Sequence, residues 1–369
     1  MKREPQCRYF HKCGGCQTQH ITYDVQLTQK KERIAKLLQI PTDSLVVVHA
    51  NEYAYRNRMD FIFSHRGLGL RKQNDHKTII PITRCEIASP NIQILLEELT
   101  RDFSRCDYFD THKKTGTFKF AVIRVGQEKT IIFTLNQDST KIDDATKRIE
   151  EFAKKTSADN IIVSYVQKNE NQSLGHEYYC LKGNEFLTQD IAGTQLTYHS
   201  LGFFQNNPSV ASQMVLHAKK LLKQTQGHLL DLYGGIGTFG IVCAPQFQTT
   251  TIIEEVENSI LCANKNIQTH KLQNVQAKVL NAQNIHKLSF QKPLHVITDP
   301  PRSGMTPKTI QRLLDLQPQT IIYVSCNPQQ LAKELKFFLK NYTLSSTTLF
   351  DMFAQTHHCE VLCEFKRKS

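Results

Sequence analysis

The first half of the chain is rich in short apolar runs separated by polar turns. Residues 22–39 carry apolar positions at helical spacing and predict an amphipathic surface helix. Residues 45–135 predict mostly strands, while residues 144–155 predict a helix and residues 161–166 another strand. The main strand-like runs are LVVVHA, FIFSH, TIIPIT, FAVIRV and TIIFTL. Glycine-punctuated strands continue to about residue 198, so this half favours a mixed, β-rich α+β architecture.

The second half changes to strands that alternate with helices. The predicted helices cover residues 208–223, 257–270, 306–316 and 328–340. The predicted strands cover residues 228–233, 250–256, 275–280, 295–299 and 321–325. This alternation is typical of a parallel, doubly wound α/β sheet of the Rossmann type. Two further strands, 347–353 and 360–366, have a short connection and predict an antiparallel pair at the edge of the sheet.

The two patterns meet near residue 195. We therefore expect an N-terminal β-rich α+β domain over residues 1–195 and a C-terminal α/β domain over residues 196–369. The helix at 22–40 has an apolar face that needs a partner, and we expect it to dock on the C-terminal domain.

The charge balance points to a polyanionic partner. Lys and Arg total 46 against 34 Asp and Glu, a formal net charge of +12. Such a surface attracts RNA or DNA, although a basic surface that serves solubility alone is the alternative. No run approaches the ~20 apolar residues needed to span a bilayer, and the first residues lack the apolar core of a signal peptide. We expect a cytoplasmic protein with no membrane partner and no obligate protein partner.

A glycine-rich turn follows the strand at 228–233. Gly235, Gly237 and Gly240 satisfy the pattern G-x-G-x-x-G between a strand and a helix, which predicts a nucleotide site. Asp231 ends the preceding strand, where a carboxylate would repel a pyrophosphate but suits the ammonium group of S-adenosylmethionine. Glu254 ends the next strand, where an acid hydrogen-bonds ribose hydroxyls. S-adenosylmethionine is therefore favoured over NAD.

Two more polar segments follow apolar strands in this half. Asp299 begins Asp-Pro-Pro-Arg-Ser-Gly, and Cys326 lies in Ser-Cys-Asn-Pro ahead of a helix. Ligands of open α/β sheets bind beyond the carboxyl ends of the strands, so both residues are expected at the site. A helix N-terminus lowers the pKa of a thiol, which makes Cys326 a candidate nucleophile.

The segment from Asp351 to Glu360 supplies candidate acids and bases. His357, His358 and Glu360 could each serve as a general acid or base. His357, His358 and Cys359 are adjacent on a strand and point to alternating faces, which disfavours a shared metal ion.

A thiolate and a carboxylate beside a methyl donor imply a definite reaction. Addition of the thiolate at C6 of a uracil makes C5 nucleophilic, so that C5 can attack the donor methyl group. A base then removes the C5 proton, and elimination releases the thiol, which is covalent catalysis.

At these motifs the sequence resembles the RNA uracil-5-methyltransferase family, over nearly the whole chain. The motifs that carry the resemblance are Phe204-Gln205-Asn206-Asn207-Pro208, Asp231–Gly237, Asp299–Gly304, Ser325-Cys326-Asn327-Pro328 and Asp351–Glu360. The family has proline where Ala354 stands, a departure that loosens this turn and leaves Glu360 in place.

The resemblance implies a role for each matched residue. Cys326 would be the nucleophile, and Glu360 would accept the proton from C5. The residues implied around S-adenosylmethionine are Gln205, Tyr233, Thr238, Glu254, Asn281 and Asp299.

Four cysteines resemble the [4Fe–4S] site of one branch of the family. They are Cys7, Cys13, Cys16 and Cys85. Four thiolates suit such a cluster, and a structural zinc ion is the alternative. Because the first of them stands at residue 7, we expect no small RNA-binding barrel (TRAM domain) ahead of the cluster.

The cluster-bearing branch without this barrel resembles members that modify 23S ribosomal RNA, and transfer RNA is the alternative target. RNA contacts are expected from basic and aromatic residues of the β-rich half, including Tyr55, Arg56, Arg58, Arg66, Arg71, Lys72, Lys113, Lys114, Phe118 and Lys119. The rival functions are a cytosine-5-methyltransferase, which Ser325-Cys326-Asn327 fits poorly, an NAD-dependent oxidoreductase, which Asp231 disfavours, and an inactive RNA-binding protein.

Overall fold

A computed structural model describes residues 1–222 and 227–368, so that residue 223 of the predicted helix 208–223 lies outside the described residues. Contacts divide the chain into two compact units. The first unit contains Met1–Tyr23 and Asn51–Gln189, and the second contains Asp24–Ala50 and Asp190–Ser369. The second unit therefore consists of two separate segments of the chain. The longer segment begins at Asp190, close to residue 195, where the sequence predicts the domain boundary.

The helices are α1 (Tyr23–Leu38), α2 (Pro90–Phe103), α3 (Ile142–Ala153), α4 (Pro208–Leu221), α5 (Thr238–Cys243), α6 (Glu257–Thr269), α7 (Pro307–Asp315) and α8 (Pro328–Phe338). Short 3-10 helices cover Thr42–Ser44, Ala244–Gln246 and Ala282–Lys287.

The strands are β1 (Leu45–Val48), β2 (Arg58–Ser64), β3 (Gly67–Lys72), β4 (Asp75–Pro81), β5 (Phe118–Val125), β6 (Lys129–Asn136), β7 (Asn160–Val166), β8 (Glu177–Lys182), β9 (Phe186–Ile191), β10 (Thr194–His199), β11 (His228–Leu232), β12 (Thr249–Glu254), β13 (Val275–Val279), β14 (Leu294–Thr298), β15 (Thr320–Ser325), β16 (Tyr342–Phe350) and β17 (Glu360–Arg367).

A seven-stranded sheet forms the first unit, in the order β4-β3-β2-β5-β6-β7-β8. Its neighbours are antiparallel except for β6 and β7, which are parallel and are joined through α3. A parallel pair needs such a crossover, and a helix commonly supplies it. This arrangement is the mixed, β-rich architecture that the sequence predicts.

Helix α2 covers the core of the first unit, and the sequence analysis did not predict it. Its fully buried residues Ile92, Leu95 and Leu99 recur at helical spacing, and Ser89-Pro90 precedes them as a start signal. Phe103 at its last turn packs against Phe118 of β5, with ring centroids 5.5 Å apart. The helical periodicity was present in the sequence, but the surrounding strand-like runs obscured it.

An eight-stranded sheet forms the second unit, in the order β1-β16-β17-β15-β14-β11-β12-β13. The pairs among β11 to β15 are all parallel, and β17 is antiparallel to both β15 and β16. The doubly wound sheet with an antiparallel addition is therefore confirmed. The expectation that the antiparallel pair forms the edge is wrong, because β1 pairs in parallel with β16 and takes the edge position.

Helix α1 and strand β1 belong to the second unit although they precede most of the first unit in sequence. Lys30 of α1 is buried and forms an ion pair with the buried carboxylate of Asp351, with a distance of 2.5 Å from Nζ to Oδ1. Gln26 donates a hydrogen bond to the side chain of Gln355 over 3.0 Å. These contacts attach α1 to the segment that connects β16 to β17.

Among the helices in the described part of the chain, none combines the length and the apolar character needed to cross a bilayer.

We predict that Lys30→Ala lowers the free energy of unfolding of the second unit by about 3–5 kcal/mol, because it leaves the Asp351 carboxylate buried without its cation. Urea unfolding followed by circular dichroism measures this change. Lys308→Ala, which removes an exposed lysine from α7, is the control and should change stability by less than about 0.5 kcal/mol. A loss of about 1 kcal/mol or less for Lys30→Ala, the size of a surface ion pair, would contradict the prediction.

Candidate active site

Strand pairing brings Cys326 and Glu360 to one edge of the second sheet, the edge that the carboxyl ends of its parallel strands form. Ser325, the last residue of β15, lies opposite Val361 in the antiparallel pairing with β17. Cys326 and Glu360 each lie one residue beyond this pair, on the same side of it. Asp299 directly follows β14, which is parallel to β15 and adjacent to it. The ends of three neighbouring strands therefore gather a thiol and two carboxyl groups.

The Cys326 thiol is not activated in this structure, contrary to the expectation from its place before α8. Burial, with the carboxyl groups of Glu360 and Asp299, raises the pKa of Cys326 to about 11, although Arg302 acts to lower it. Desolvation and two acidic neighbours thus outweigh the helix N-terminus. The thiol is protonated at neutral pH in this state of the protein.

The two carboxyl groups also hold protons more tightly than usual. Burial raises the pKa of Glu360 well above its ordinary value, and the neighbouring Asp299 raises it further, whereas Arg302 lowers it. Burial and the more distant Asp231 raise the pKa of Asp299. A carboxyl group with a raised pKa is suited to accept and release a proton near neutral pH.

An open cavity of about 810 Å³ contains Cys326. Arg33 and Lys36 of α1 line one part of it, and Arg302 and His358 line another. Its charged lining residues are basic. This cavity lies entirely within the second unit. The sequence did not predict that α1 forms one of its walls, because the face of α1 with Arg33 and Lys36 has the same composition as a face exposed to solvent.

The glycine turn after β11 is held by two acids. The Asp231 carboxylate accepts a hydrogen bond from the Gly240 N–H over 2.7 Å, and Glu254 accepts one from the Gly235 N–H over 3.2 Å. A Cβ atom at Gly240 would lie 2.8 Å from the Asp231 oxygen, so this approach requires glycine. Gly237 precedes α5 with a φ of 87°, which also favours glycine.

Asp231 has an unusual environment for an acid. It is buried, and its second carboxylate oxygen, Oδ1, has no hydrogen-bond partner within the described residues. Burial, opposed by the hydrogen bond from Gly240 and assisted by the nearby Glu254, raises the pKa of Asp231 to about 7. A buried acceptor without a donor indicates a place where a ligand could supply one.

Most of the residues expected around the methyl donor follow the ends of adjacent strands. Tyr233 follows β11, Thr238 begins α5, and Glu254 ends β12. Asn281 follows β13 but is exposed, and its side-chain amide donates to Glu255 over 2.6 Å. Gln205 is half-buried in the loop before α4. The sheet thus gathers the first three with Asp299, while the Asn281 amide is directed to the neighbouring Glu255.

Asn207 and Asn327, each followed by a proline, connect loops of the site through hydrogen bonds. Asn327 caps α8 with its side-chain oxygen and donates from its side-chain nitrogen to the Arg302 carbonyl over 2.9 Å. Asn207 caps α4 in the same way and donates to the Met352 carbonyl over 3.3 Å. The Asn-Pro pair before a helix predicts such a cap, as it does for Asn207 before the predicted helix 208–223. The second hydrogen bond of each asparagine, to another loop, was not predicted.

The four N-terminal cysteines come together in the first unit. All are half-buried and free. Burial, with smaller contributions from the thiols of Cys85, Cys13 and Cys7, raises the pKa of Cys16 to about 12, so the other three thiols lie close enough to Cys16 to affect its charge. The Gly15 N–H donates to the sulfur of Cys13 over 3.4 Å. Within residues 1–222 and 227–368, however, no group of three or more His, Cys, Asp or Glu side chains is arranged to hold a metal ion.

Several residues expected to contact RNA are buried in the first unit or bonded to another of its side chains. Phe118 is 2% exposed and Lys119 is 4% exposed, so neither presents a free face to a base or a phosphate. Arg58 forms an ion pair with Asp60 over 2.9 Å. For Phe118 and Lys119 the expectation of direct RNA contact is wrong, because β5 is buried on both of its faces. It is wrong for Tyr55 as well, which is 8% exposed. For Arg58 it stays a prediction, since an ion pair with Asp60 does not exclude contact with a phosphate. Arg66 and Lys114 remain exposed.

Comparison with known proteins agrees with this geometry. The model of the tRNA (uracil-5-)-methyltransferase family matches residues 22–368. The tRNA (uracil(54)-C(5))-methyltransferase of Pyrococcus horikoshii is 30% identical, over 97% of this chain and 84% of its own length. An uncharacterized RNA methyltransferase of Caldanaerobacter subterraneus is 27% identical, over 97% of this chain and 84% of its own length.

A solved structure extends the similarity to the fold. The Pyrococcus abyssi tRNA (uracil-54, C5)-methyltransferase, in complex with S-adenosyl-L-homocysteine, matches with a TM-score of 0.81 and 25% identity, over 96% of this chain and 86% of that chain. The fold is therefore that of an α/β methyltransferase. The chain belongs to the tRNA (uracil-5-)-methyltransferase family.

The raised pKa of Cys326 predicts slow alkylation at neutral pH. Because only the thiolate reacts, the rate of iodoacetamide labelling at Cys326 should rise about tenfold per pH unit from pH 7 to pH 10. Peptide mass spectrometry measures the rate for this residue alone. Glu360→Gln removes one acidic neighbour and should shift the profile to lower pH. A plateau below pH 8 in the unaltered protein would contradict the prediction.

Proposed function

We propose that the protein transfers a methyl group from S-adenosylmethionine to C5 of a uridine in RNA through a transient bond between Cys326 and C6. The observation that carries this proposal is the pairing of Ser325 with Val361, which brings the Cys326 thiol and the Glu360 carboxyl group to one sheet edge. Family membership supports the same reaction class.

The residues along the strand ends fit S-adenosylmethionine. The orphaned Oδ1 of Asp231 is an acceptor for a cationic ligand or a donor group, and the solved relative is a complex with S-adenosyl-L-homocysteine. We infer that the donor is held by Gln205, Tyr233, Thr238, Glu254, Asn281 and Asp299. When bound, S-adenosylmethionine supplies an electrophilic methyl group.

Each protein group then has one task. Cys326 gives its proton to solvent in the open cavity, and its thiolate sulfur bonds to C6 of the uracil, which moves the C5–C6 electron pair toward C5. C5 then bonds to the methyl carbon as the bond from that carbon to the donor sulfur breaks, so that S-adenosylhomocysteine leaves. Glu360 removes the remaining C5 proton, and breakage of the S–C6 bond releases 5-methyluridine and restores the sulfur. The raised pKa of Glu360 matches this acceptor role near neutral pH.

The basic cavity supports a polyanionic substrate. Arg33, Lys36 and Arg302 surround the opening that leads to Cys326, and cationic side chains of this kind position phosphates. The target base has to leave its stack to reach the sulfur, which costs a few kcal/mol and is cheapest for an unpaired base. A uridine in an RNA loop is therefore the proposed target.

Two RNA classes are candidates for the substrate. The sequence resemblance favours 23S ribosomal RNA, whereas the relative from Pyrococcus horikoshii and the solved one from Pyrococcus abyssi are named for uracil 54 of tRNA. The names of these two relatives make transfer RNA as well supported a substrate as ribosomal RNA.

We further propose that Cys7, Cys13, Cys16 and Cys85 hold a [4Fe–4S] cluster. The mutual influence of their thiols and the Gly15 N–H directed at the Cys13 sulfur support four thiolates at one place. A bound cluster would tie the N-terminal segment to the chain that follows β4. It has no part in the methyl transfer proposed above.

Release of tritium from [5-³H]uridine in RNA tests the reaction. The protein with S-adenosylmethionine should release tritium, Cys326→Ala should release none, and Glu360→Gln should accumulate a covalent protein–RNA adduct that survives denaturing electrophoresis. Cys262→Ala, which alters a buried cysteine of α6 in the same unit, is the control and should retain activity. Running the assay on ribosomal and on transfer RNA, followed by mass-spectrometric mapping, identifies the target. Tritium release that persists in Cys326→Ala would exclude the covalent route.

Metal analysis tests the cluster. Protein isolated without oxygen should contain about four irons and four sulfides per chain and show the broad visible absorption of an iron–sulfur cluster. Cys16→Ser should lose this absorption, while Cys180→Ser, a half-buried cysteine of β8, should keep it. About one zinc per chain and no iron would instead establish the zinc alternative.

A further inference from the structure

A second cavity, of about 470 Å³, lies within the first unit and has no part in the reaction above. Residues of β2 to β4 form one side of it, and segments 108–114 and 168–171 form the other. Its lining is unusual in combining aromatic rings with six Lys or Arg side chains and two acids. We call it the β-unit cavity.

The inner part of the β-unit cavity is aromatic and rigid. Phe63, Phe109 and Phe120 line it and are at most 8% exposed. The buried ammonium group of Lys119 lies 4.4 Å from the centre of the Phe109 ring and donates to the Gln167 and Glu170 carbonyls over 2.8 and 2.7 Å. These bonds lock Lys119, so it stiffens the cavity wall and is not a free cation.

Two further rings stand nearer the surface. The rings of His65 and Tyr108 have centroids 6.2 Å apart and are tilted by 50°. His65 is exposed and Tyr108 is half-buried. Because every nucleobase has a π face, a partly open aromatic ring of this kind can stack on an unpaired base without regard to its identity.

The outer part of the cavity is cationic. Arg66, Lys77, Lys114 and Lys168 are exposed and, within the described residues, none of them forms an ion pair. The acid Asp110 lines the same cavity, but its carboxylate accepts from the backbone N–H groups of its own turn. The six Lys and Arg side chains outnumber the two acids, Asp110 and Glu170, so the lining keeps a net positive charge.

We propose that the β-unit cavity binds one unpaired nucleotide of the RNA substrate, with the base against Tyr108 and the flanking phosphates on the four rim cations. This rests on the proposed function, since it assumes an RNA substrate. Four cations around one cavity suit the several phosphates of a strand better than the single phosphate of a free mononucleotide.

Binding of a fluorescein-labelled, single-stranded 12-nucleotide oligouridylate, followed by anisotropy, tests the proposal without any methyl donor. Tyr108→Ala should weaken binding at least about fivefold, the loss expected for one base–aromatic stack, while Tyr108→Phe should retain it. The triple variant Arg66→Ala/Lys114→Ala/Lys168→Ala should reduce the slope of log affinity against log salt by about 0.7 per lost phosphate contact.

The matched control is Arg105→Ala/Lys147→Ala/Lys154→Ala, which removes the same charges from exposed positions outside the cavity. It should change the slope less than the cavity variant. Unchanged affinity in Tyr108→Ala, or equal slopes for the two triple variants, would overturn the proposal. Absence of tritium release by the unaltered protein would overturn the proposed function instead, so the two failures are distinguishable.

Discussion

Burial of carboxyl groups governs the chemistry available at the edge of the second sheet that the carboxyl ends of its parallel strands form. Asp231 lies in β11, Asp299 follows β14 and Glu360 begins β17, and burial raises the pKa of each. A neighbouring acid adds to each increase: Glu254 for Asp231, Asp231 for Asp299 and Asp299 for Glu360. The Gly240 N–H and Arg302 act in the opposite direction. Ionising all three acids at once is costly in a desolvated place. The edge therefore favours a cationic ligand, a property that suits the sulfonium and ammonium groups of the proposed donor.

The antiparallel placement of β17 fixes which groups meet at this edge. A purely parallel sheet would present only carboxyl ends of strands, whereas the reversed β17 presents its first residue, Glu360, beside the end of β15. Because side chains alternate along a strand, a slip of one residue would turn Glu360 to the opposite face. Pairing of β17 with β16 on its other side, and of β16 with β1, protects the register from such a slip. The proposed base thus depends on strands far from the chemistry.

Periodicity was sufficient to predict the doubly wound sheet, and strand-end motifs predicted Asp299 and Cys326 at one edge of it, whereas Glu360 was singled out by the family resemblance. These signals could not predict the place of β1, because an apolar run such as LVVV fits either sheet and only long-range pairing with β16 decides. The raised pKa of Cys326 could not be predicted from the sequence either, since it depends on burial and on two acids that the fold brings close. The inward direction of Lys119 was missed for a related reason, because a lysine in a strand is ordinarily assigned to solvent.

The pairs Asn207-Pro208 and Asn327-Pro328 explain how loops can hold reacting groups in place, although loops are usually the more mobile parts of a fold. Asn207 and Asn327 have nearly the same backbone angles, with φ of −130° and −129°. Each uses its side-chain oxygen to cap a helix and its side-chain nitrogen to hold the backbone of a second loop. Proline follows each asparagine at the first helical position, where its missing N–H is not needed. Aspartate would supply the cap but not the amide donor, so the requirement for asparagine comes from the second loop. Rigid helices thereby fix the loops beside Cys326, and such support is what a reaction that depends on close approach needs.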